Sequence, residues 1–327
     1  MTAKIRDAVI VITGASSGIG RATALECARR GASVVVSGRR HSALNELARQ
    51  CEDEGGGAIA VPADVNDPEA MKHLAREAVD RFGRIDVWFN NAAVTVAGYF
   101  DEVPEDVYRQ VIETNLFGVI NGTRAALPYF REQGRGTLIN HSSVIGKFGT
   151  SKFSAYSTSK AGIIGFSESL RQEMRGTGID VCVVLPAAID TPIYNQAANF
   201  SGLTVKPVDP IYPASQVARA VCSLIERPRP QVYVGATGKL VSLIREVAPY
   251  ALTDRLIGRT WEQDHFTARP ADRHGGNVFE PDANHQTVSG GWPSSQPSRT
   301  PYLLAGLATV ILPAIVLWRR SNGARGS

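Results

Sequence analysis

Tyr156 and Lys160 are the residues of this 327-residue chain whose types and spacing point most directly to chemistry. Because they are four positions apart, they share one face of a helix, and the lysine ammonium lies near the phenol. A free phenol has a pKa of about 10, and a neighbouring cation that favours the phenolate makes it usable as a general acid or base near neutral pH. Ser143 can polarise or position the oxygen of a substrate. The three side chains therefore predict proton transfer at an oxygen atom.

A glycine-rich stretch near the N-terminus supplies a candidate binding loop for a nucleotide cofactor. Residues 8–12 (AVIVI) are an apolar run typical of a buried parallel strand, and residues 21–30 (RATALECARR) have helical periodicity. The loop between them, TGASSGIG, precedes a helix N-terminus, whose unpaired N–H groups and dipole favour a pyrophosphate. The alternative is an ordinary flexible turn. The candidate cofactor contacts in the loop are Gly14, Ser16, Ser17, Gly18, Ile19 and Gly20.

Strand-like and helix-like segments alternate through the chain up to residue 234. Further strands are predicted at residues 33–37, 58–61, 86–89, 137–140, 180–185 and 231–234, and helices at 43–54, 68–82, 105–130, 156–175 and 214–226. This alternation predicts an α/β, Rossmann-type fold, in which helices flank both faces of a doubly wound parallel sheet. The glycine loop, Asn90, Ser143 and Pro186 each follow a predicted strand, so we expect them to converge on one cleft.

These motifs resemble those of the short-chain dehydrogenase/reductase family over roughly residues 4–235. The glycine loop is similar to the family's TGxxxGxG motif, and residues 90–93 (NNAA) are similar to its NNAG motif, with Ala93 in place of the glycine. The resemblance implies an enzyme that transfers a hydride between a nicotinamide cofactor and a carbonyl or alcohol.

The family's four catalytic residues correspond to Asn115, Ser143, Tyr156 and Lys160, with Ser143 preceding Tyr156 by 13 positions. The resemblance implies that Tyr156 is the general acid/base, and that Lys160 lowers its pKa and binds the nicotinamide ribose. Asn115 would hold a water that links Lys160 to solvent, and Ser142 would be structural. The alternatives are a chance surface pair for Tyr156 and Lys160, and a locally bonded helix side chain for Asn115.

Cofactor preference is predicted from the residues that follow the second strand. Position 38 is glycine, so no acid is present there to accept hydrogen bonds from a ribose 2′-hydroxyl. Arg39 and Arg40 offer charged donors to a 2′-phosphate instead, which favours NADP(H) over NAD(H). The alternative is a pair of solvated loop charges.

The resemblance implies further cofactor contacts downstream. Residues 186–191 (PAAIDT) are similar to the family's PGxxxT motif, with Ala187 in place of a glycine that tolerates positive φ freely. The sequence therefore does not predict whether the backbone at Ala187 has positive φ. The implied cofactor contacts outside the glycine loop and the arginines are Asp64, Val65, Asn91, Tyr156, Lys160, Ile189 and Thr191.

The segment 192–213 is expected to be a lid over the substrate. It contains the large apolar or aromatic residues Ile193, Tyr194, Phe200, Leu203, Val205 and Tyr212. An apolar lid favours an apolar small-molecule substrate, although the same side chains can simply pack the lid onto the body.

Composition indicates one catalytic domain at residues 1–255. The net charge of +4 and the absence of a basic stripe do not indicate nucleic-acid binding. The four cysteines are dispersed without metal-ligand spacing, so we expect reduced thiols and no metal site. The N-terminus leads almost directly into the predicted first strand, so we expect no cleavable signal peptide.

The C-terminal part differs in composition. Residues 256–300 are predicted to be a partly disordered linker, since 267–300 are rich in Gly, Pro, Ser, Asn, Asp and His. Residues 301–320 are predicted to be a membrane-spanning or membrane-associated helix, followed by a tail at 321–327, because 302–318 are uncharged and precede Arg319 and Arg320. The alternative is a helix buried on the body or in a dimer interface.

The expected location is a membrane, with the catalytic domain facing the cytoplasm. The arginines after the apolar segment favour a cytoplasmic C-terminus, which a single span cannot reconcile with a cytoplasmic catalytic domain. A soluble cytoplasmic protein is the alternative. Family resemblance also suggests a homodimer or homotetramer formed through the helices at 105–130 and 156–175.

Two other functions remain open at this point. A cofactor-binding regulatory or scaffold protein would keep the glycine loop but would not need the four catalytic residues. An epimerase or dehydratase would need additional acid/base residues near the lid, for which Asp190 and Glu173 are the nearest candidates in sequence.

Overall fold

The computed structural model describes residues 5–247, 264–282 and 284–293. Its centre is a seven-stranded parallel sheet with strand order β12-β7-β6-β4-β1-β2-β3. The strands, in chain order, are β1 (Val9–Ile12), β2 (Ser33–Gly38), β3 (Ala58–Pro62), β4 (Val87–Asn90), β5 (Val96–Ala97), β6 (Gly136–His141), β7 (Ile179–Pro186), β8 (Ile189–Asp190), β9 (Ala198–Asn199), β10 (Leu203–Val205), β11 (Tyr212–Pro213), β12 (Gln231–Val234) and β13 (Phe266–Pro270).

Helices cover both faces of the sheet, which confirms the predicted Rossmann-like α/β fold. They are α1 (Gly18–Arg29), α2 (His41–Asp53), α3 (Pro68–Phe82), α4 (Glu105–Ile112), α5 (Gly118–Gln133), α6 (Ser154–Glu173), α7 (Ala214–Glu226) and α8 (Ala236–Val247). One buried cluster packs α1, α2 and α7 against one face, and a second packs α3, α5 and α6 against the other.

The sequence explains why these elements form. All four residues of β1 are buried, as expected for a continuous Val/Ile run in a sheet covered on both faces. Helix α3 begins with an Asp67 cap and Pro68 in its first turn, and it ends at Gly83, whose φ is +79°. In the register of the sheet Ile12 lies between Val36 and Phe89, so the loops after β1, β2 and β4 emerge at one edge. That edge carries the site described below.

Two helices differ from the sequence prediction. The single helix expected at 105–130 is divided into α4 and α5 by a π-helical turn, Glu113–Phe117, which contains Asn115. A π turn inserts one residue into the helical repeat and commonly lies at functional sites, but hydrophobic periodicity does not reveal it. Helix α8 was not predicted.

The largest difference lies in the segment expected to be a flexible linker. We call residues 264–282 and 284–293 the strap. Its strand β13 pairs with β10 in the predicted lid, and Asn199 forms an isolated bridge with His274. The prediction of a flexible linker is therefore wrong for these residues. Their sequence is polar and lacks the apolar residues of a core, but backbone hydrogen bonds to β10 and Asn199 order it.

The predicted membrane segment at 301–320 and the tail at 321–327 lie outside the described residues. Within the described ranges, no helix is both long and apolar enough to cross a membrane. All four cysteines are unpaired thiols, as expected.

Candidate functional site

The glycine loop after β1 forms the floor of a groove. Gly14 has φ of +62°, and a Cβ there would lie 2.6 Å from the Ala92 Cα atom. A Cβ on Gly20 would collide with the Gly14 carbonyl oxygen and would lie 2.6 Å from Asn91 Nδ2. Only glycine fits at these two positions, since the loop lies directly against the segment that follows β4.

Asn91 connects the loop to the neighbouring strand end. Its Nδ2 donates to the carbonyls of Thr13 and Gly14 at 3.0 and 3.1 Å, and its backbone N–H donates to Thr13 Oγ1 at 3.0 Å. Because these bonds fix the loop backbone, Asn91 shapes the groove that it also lines.

The groove has a volume of about 900 Å³, part of it open to solvent. It brings together most of the residues predicted to bind the cofactor, although they come from five different loops. The predicted residues that line it are Gly14, Ser16, Ser17, Gly18, Ile19, Arg39, Arg40, Asp64, Val65, Asn91 and Thr191. Of the remaining predicted contacts, Gly20 lies beneath the loop, Tyr156 and Ile189 line the adjoining pocket, and Lys160 is buried behind it.

A second pocket of about 680 Å³, also partly open to solvent, adjoins the groove. The two cavities share Ile19, His141, Thr191 and Ile193, so a ligand in one can contact a ligand in the other. The second pocket is mostly apolar in its lining, but the predicted catalytic residues Ser143 and Tyr156 face it.

Tyr156 and Lys160 lie in the first two turns of α6, as their spacing predicts. Lys160 Nζ lies 5.4 Å from the centre of the Tyr156 ring and donates to the His141 carbonyl at 2.8 Å. Burial lowers the pKa of Lys160 to about 7. Burial also raises the pKa of Tyr156, while a hydrogen bond from Ser143 opposes that rise. The direction of the Tyr156 pKa shift is thus opposite to the predicted lowering, because desolvation of the phenolate outweighs the hydrogen bond from Ser143.

The two serines have different surroundings. Ser143 lies at the pocket and accepts a hydrogen bond from the Ile145 N–H at 3.3 Å. Ser142 is fully buried and donates to the Lys160 carbonyl at 2.7 Å. Ser142 therefore fixes the start of α6 against β6, in agreement with the structural role expected for it.

Asn115 lies in the π turn with its side chain fully engaged. Its Oδ1 accepts from the Val94 N–H at 2.8 Å, and its Nδ2 donates to the Val94 carbonyl at 2.9 Å and to Ser159 Oγ at 3.0 Å. These bonds join the π turn to α6 and to the segment after β4. None of these bonds is made to Lys160, and the water-holding role that the resemblance implies for Asn115 stays a prediction.

The PGxxxT-like segment adopts an ordinary backbone at the substituted position. In the described part of the chain, positive φ outside glycine occurs at Asp7 and Lys152, so Ala187 does not adopt the left-handed conformation. Thr191 lines both cavities, which is compatible with a cofactor contact there.

Arg39 and Arg40 bind the strap. Arg39 donates to the carbonyls of Asn277 and Phe279 at 2.7 and 2.6 Å. Arg40 donates to the carbonyls of Asp282 and His285, both at 2.8 Å. Its remaining donors contact Ser16 and Ser17. The guanidinium groups are thus neither free nor simply solvated.

Sequence reasoning missed two histidines. His141 lies at the junction of the cavities, and its Nδ1 lies 3.1 Å from Asn91 Oδ1. Its position at the carboxyl end of β6 could have identified it as a candidate site residue, because ligands bind at the carboxyl ends of parallel strands. His265 comes from the strap and lines the second pocket between Phe153 and Tyr194. Burial lowers its pKa to about 4, so its imidazole is neutral at pH 7. No local pattern marks it, because the strap was expected to lie outside the catalytic domain.

A model of the short chain dehydrogenase family matches residues 8–201, which contain the glycine loop and all four predicted catalytic residues. Uncharacterized oxidoreductase YxnA of Bacillus subtilis is 38% identical over 275 residues, which cover 82% of this chain and 76% of the relative. Ketoacyl reductase HetN of Nostoc sp. is 32% identical over 260 residues, with coverage of 76% and 87% respectively.

Two solved structures extend the similarity. A short chain dehydrogenase/reductase from Burkholderia phymatum, in complex with NAD, superposes with a TM-score of 0.67 at 25% identity, covering 75% of this chain and 96% of that one. A 3-ketoacyl-ACP reductase from Sinorhizobium meliloti gives a TM-score of 0.63 at 31% identity, with coverage of 71% and 99%.

Proposed function

The chain belongs to the short-chain dehydrogenase family and is an oxidoreductase of that family. From this premise we propose that it interconverts an alcohol and a carbonyl on an apolar small molecule, using NADP(H) as the hydride carrier and Tyr156 as the general acid/base. The observation that carries the proposal is that Ser143 and Tyr156 line a pocket continuous with the groove over the glycine loop.

The residues present fit a nicotinamide dinucleotide. The two loop glycines leave a cradle that a Cβ would fill, and the groove above it lies at the carboxyl ends of parallel strands. The Burkholderia relative is described as a complex with NAD, which supports the same use of the groove here. When bound, the cofactor supplies or accepts the hydride.

The protein's own residues perform the proton transfer. Tyr156 donates its phenolic proton to the substrate oxygen in reduction and removes it in oxidation. Ser143, which lines the same pocket as Tyr156, orients the same oxygen. Lys160 holds the loop at His141 and lies beside the Tyr156 ring, where its charged form favours the phenolate.

The cofactor preference rests on charge. Position 38 has no acid, and Arg39 and Arg40 line the groove beyond it. A 2′-phosphate accepts stronger hydrogen bonds from guanidinium groups than a neutral carbonyl does. This difference favours NADP(H), although the carbonyl groups of the strap compete with the phosphate for the same arginine donors.

The substrate class rests on the pocket lining. Apolar side chains such as Val144, Ile145 and Phe153 surround the catalytic hydroxyls. Two similar proteins are named as ketoacyl reductases, so we propose carbonyls attached to an acyl chain as the first compounds to assay.

The alternative enzyme classes gain no support. Asp190 accepts hydrogen bonds from Ser289, Gly290 and Trp292, which makes it an anchor for the strap rather than an acid or base. Glu173 is exposed at the end of α6 and lines neither cavity. A scaffold role would not require the predicted catalytic side chains to line one pocket.

Membrane attachment through residues 301–320 remains a proposal. It is supported by the uncharged run at 302–318 and would hold the active site near lipophilic substrates on the cytoplasmic side. Assembly into dimers or tetramers through α4, α5 and α6 is likewise proposed from the family resemblance.

Tyr156→Phe tests the proposed reaction. We expect it to bind NADPH with unchanged affinity and to lower kcat at least about 10²-fold, because only the proton donor is lost. Tyr129→Phe is the matched control, since Tyr129 lines neither cavity. Turnover that survives in Tyr156→Phe would contradict the assigned role.

A further inference from the structure

The strap crosses the mouth of the cofactor groove from the lid to the glycine loop. Asn277 donates two hydrogen bonds to Gln196, from its N–H to the backbone carbonyl at 2.9 Å and from its Nδ2 to Oε1 at 2.8 Å. Further along, the Thr287 carbonyl accepts from the Gly18 N–H at 2.9 Å, and the Asp190 carboxylate binds the N–H groups of Gly290 and Trp292. Asn277, Pro281 and Asp282 consequently form part of the wall of the groove.

The part of the strap from residue 277 to residue 285 occupies both terminal nitrogens of Arg39 and one terminal nitrogen of Arg40. Four backbone carbonyls, those of Asn277, Phe279, Asp282 and His285, accept from Arg39 and Arg40 at 2.6–2.8 Å. These carbonyl oxygens accept from the same N–H groups that would donate to the oxygens of a 2′-phosphate. They differ from a phosphate in being neutral acceptors. A phosphate and the strap cannot fill these positions at once.

The strap also brings an acid to this end of the groove. The Asp282 carboxylate accepts from the Asn284 N–H at 2.7 Å and from His285 Nδ1, and it lies in the field of Arg40. An ionised carboxylate repels a phosphate dianion but accepts hydrogen bonds from a ribose hydroxyl. It thus offers the chemistry that position 38 lacks.

We propose that the strap determines which nicotinamide nucleotide the groove accepts. With the strap docked, Asp282 and the strap carbonyls disfavour a 2′-phosphate relative to a 2′-hydroxyl, so that NAD(H) is the better ligand of the two. A 2′-phosphate reaches Arg39 and Arg40 only when residues 277–285 leave them. This inference rests on the proposed function. In it, the protein prefers NADP(H) only in the form in which the strap is released.

Two adjacent glycines allow a matched test in the full-length protein. Gly276 has φ of +54°, and a Cβ there would lie 2.5 Å from both the Ala197 carbonyl carbon and the Ala198 nitrogen, which are backbone atoms that cannot rotate away. At Gly275 a Cβ would meet nothing within 4 Å. Gly276→Ala should therefore detach the strap without altering any arginine or any residue of the glycine loop, and Gly275→Ala should leave it docked.

The measurement is the dissociation constant of NADPH and of NADH, obtained by fluorescence titration of the wild type and both variants. We expect Gly276→Ala to bind NADPH about tenfold tighter relative to NADH, which corresponds to about 1.4 kcal/mol. Gly275→Ala should match the wild type. Gly290→Ala is a second release variant, because its Cβ would lie 2.7 Å from the Thr191 carbonyl carbon.

Hydrogen–deuterium exchange supplies a readout independent of affinity. NADPH added to the wild type should accelerate exchange in peptides that span residues 277–292, and NADH should not. An unchanged ratio of the two dissociation constants in both release variants would overturn the role of the strap while leaving nucleotide binding intact. Failure of every form to bind either nucleotide would overturn the proposed function as well.

Discussion

Lys160 donates a hydrogen bond from Nζ to the backbone carbonyl of His141 at 2.8 Å, across the gap between α6 and the end of β6. This contact joins the helix that carries Tyr156 to the strand end that carries Ser143. It also explains how a lysine that is only 1% exposed is tolerated, because one of its donors is satisfied inside the protein. The relative positions of the catalytic residues therefore depend on Lys160 as well as on the sheet.

The buried lysine makes the stability of the cofactor-free protein depend on pH. Burial lowers the pKa of Lys160 to about 7 from an ordinary value of 10.5. Between these values the unfolded chain binds a proton that the folded protein does not, so stability rises with pH, by at most about 1.4 kcal/mol per pH unit from this group. We expect Lys160→Met to lose this slope in denaturant unfolding at pH 7, 8 and 9. Parallel profiles of variant and wild type would show that Lys160 stays charged when buried.

Ser143 and Ser142 provide a contrast between a catalytic residue and a structural neighbour. Ser143→Ala removes a hydroxyl at the pocket, and we expect kcat to fall by about 10²-fold with little change in unfolding free energy. Ser142→Ala removes the bond to the Lys160 carbonyl and should cost about 1 kcal/mol of stability. Steady-state kinetics and denaturant unfolding of both variants check this pair. A reversed outcome would mean that the two serines were assigned the wrong way round.

Gly20 tests whether the groove depends on the close packing of its floor. Gly20→Ala would force a Cβ against the Gly14 carbonyl and Asn91 Nδ2, so we expect nucleotide affinity to fall by at least about tenfold and stability to fall by about 1–3 kcal/mol. Gly165→Ala on α6 is the control, since a Cβ there meets nothing within 4 Å. That control should be stabilising by about 0.5–1 kcal/mol. Thermal unfolding and nucleotide titration measure both effects, and equal behaviour of the two variants would refute the packing argument.

The sheet and the convergence of the site could be predicted because both follow from local patterns. Continuous runs such as residues 8–12 identify buried strands, and the parallel topology then brings Ser143 and the glycine loop to one edge. The four-residue spacing of Tyr156 and Lys160 is likewise a local pattern, and it correctly predicts that both lie on one helix. Their pKa directions could not be predicted, because these depend on burial that spacing does not report.

The surroundings of Asn115 and the order of the strap could not be predicted from local sequence patterns. The π turn around Asn115 is held by bonds to Val94 and Ser159, which lie far from it in sequence. The strap is polar and rich in glycine and proline, which is also the composition of a disordered linker. It is ordered by contacts with Arg39, Arg40 and Asp190, and such pairings leave no periodic trace in a sequence.

Label transfer from the cofactor tests the central claim most directly. The purified protein would be incubated with NADPH that carries deuterium at both positions of the reactive nicotinamide carbon, and separately with NADH labelled in the same way, together with acyl-chain ketones. We expect one deuterium on the carbinol carbon of the alcohol formed by the wild type, and no labelled alcohol from Tyr156→Phe. Product that forms without cofactor-derived deuterium, or no product from any carbonyl compound despite tight nucleotide binding, would contradict it.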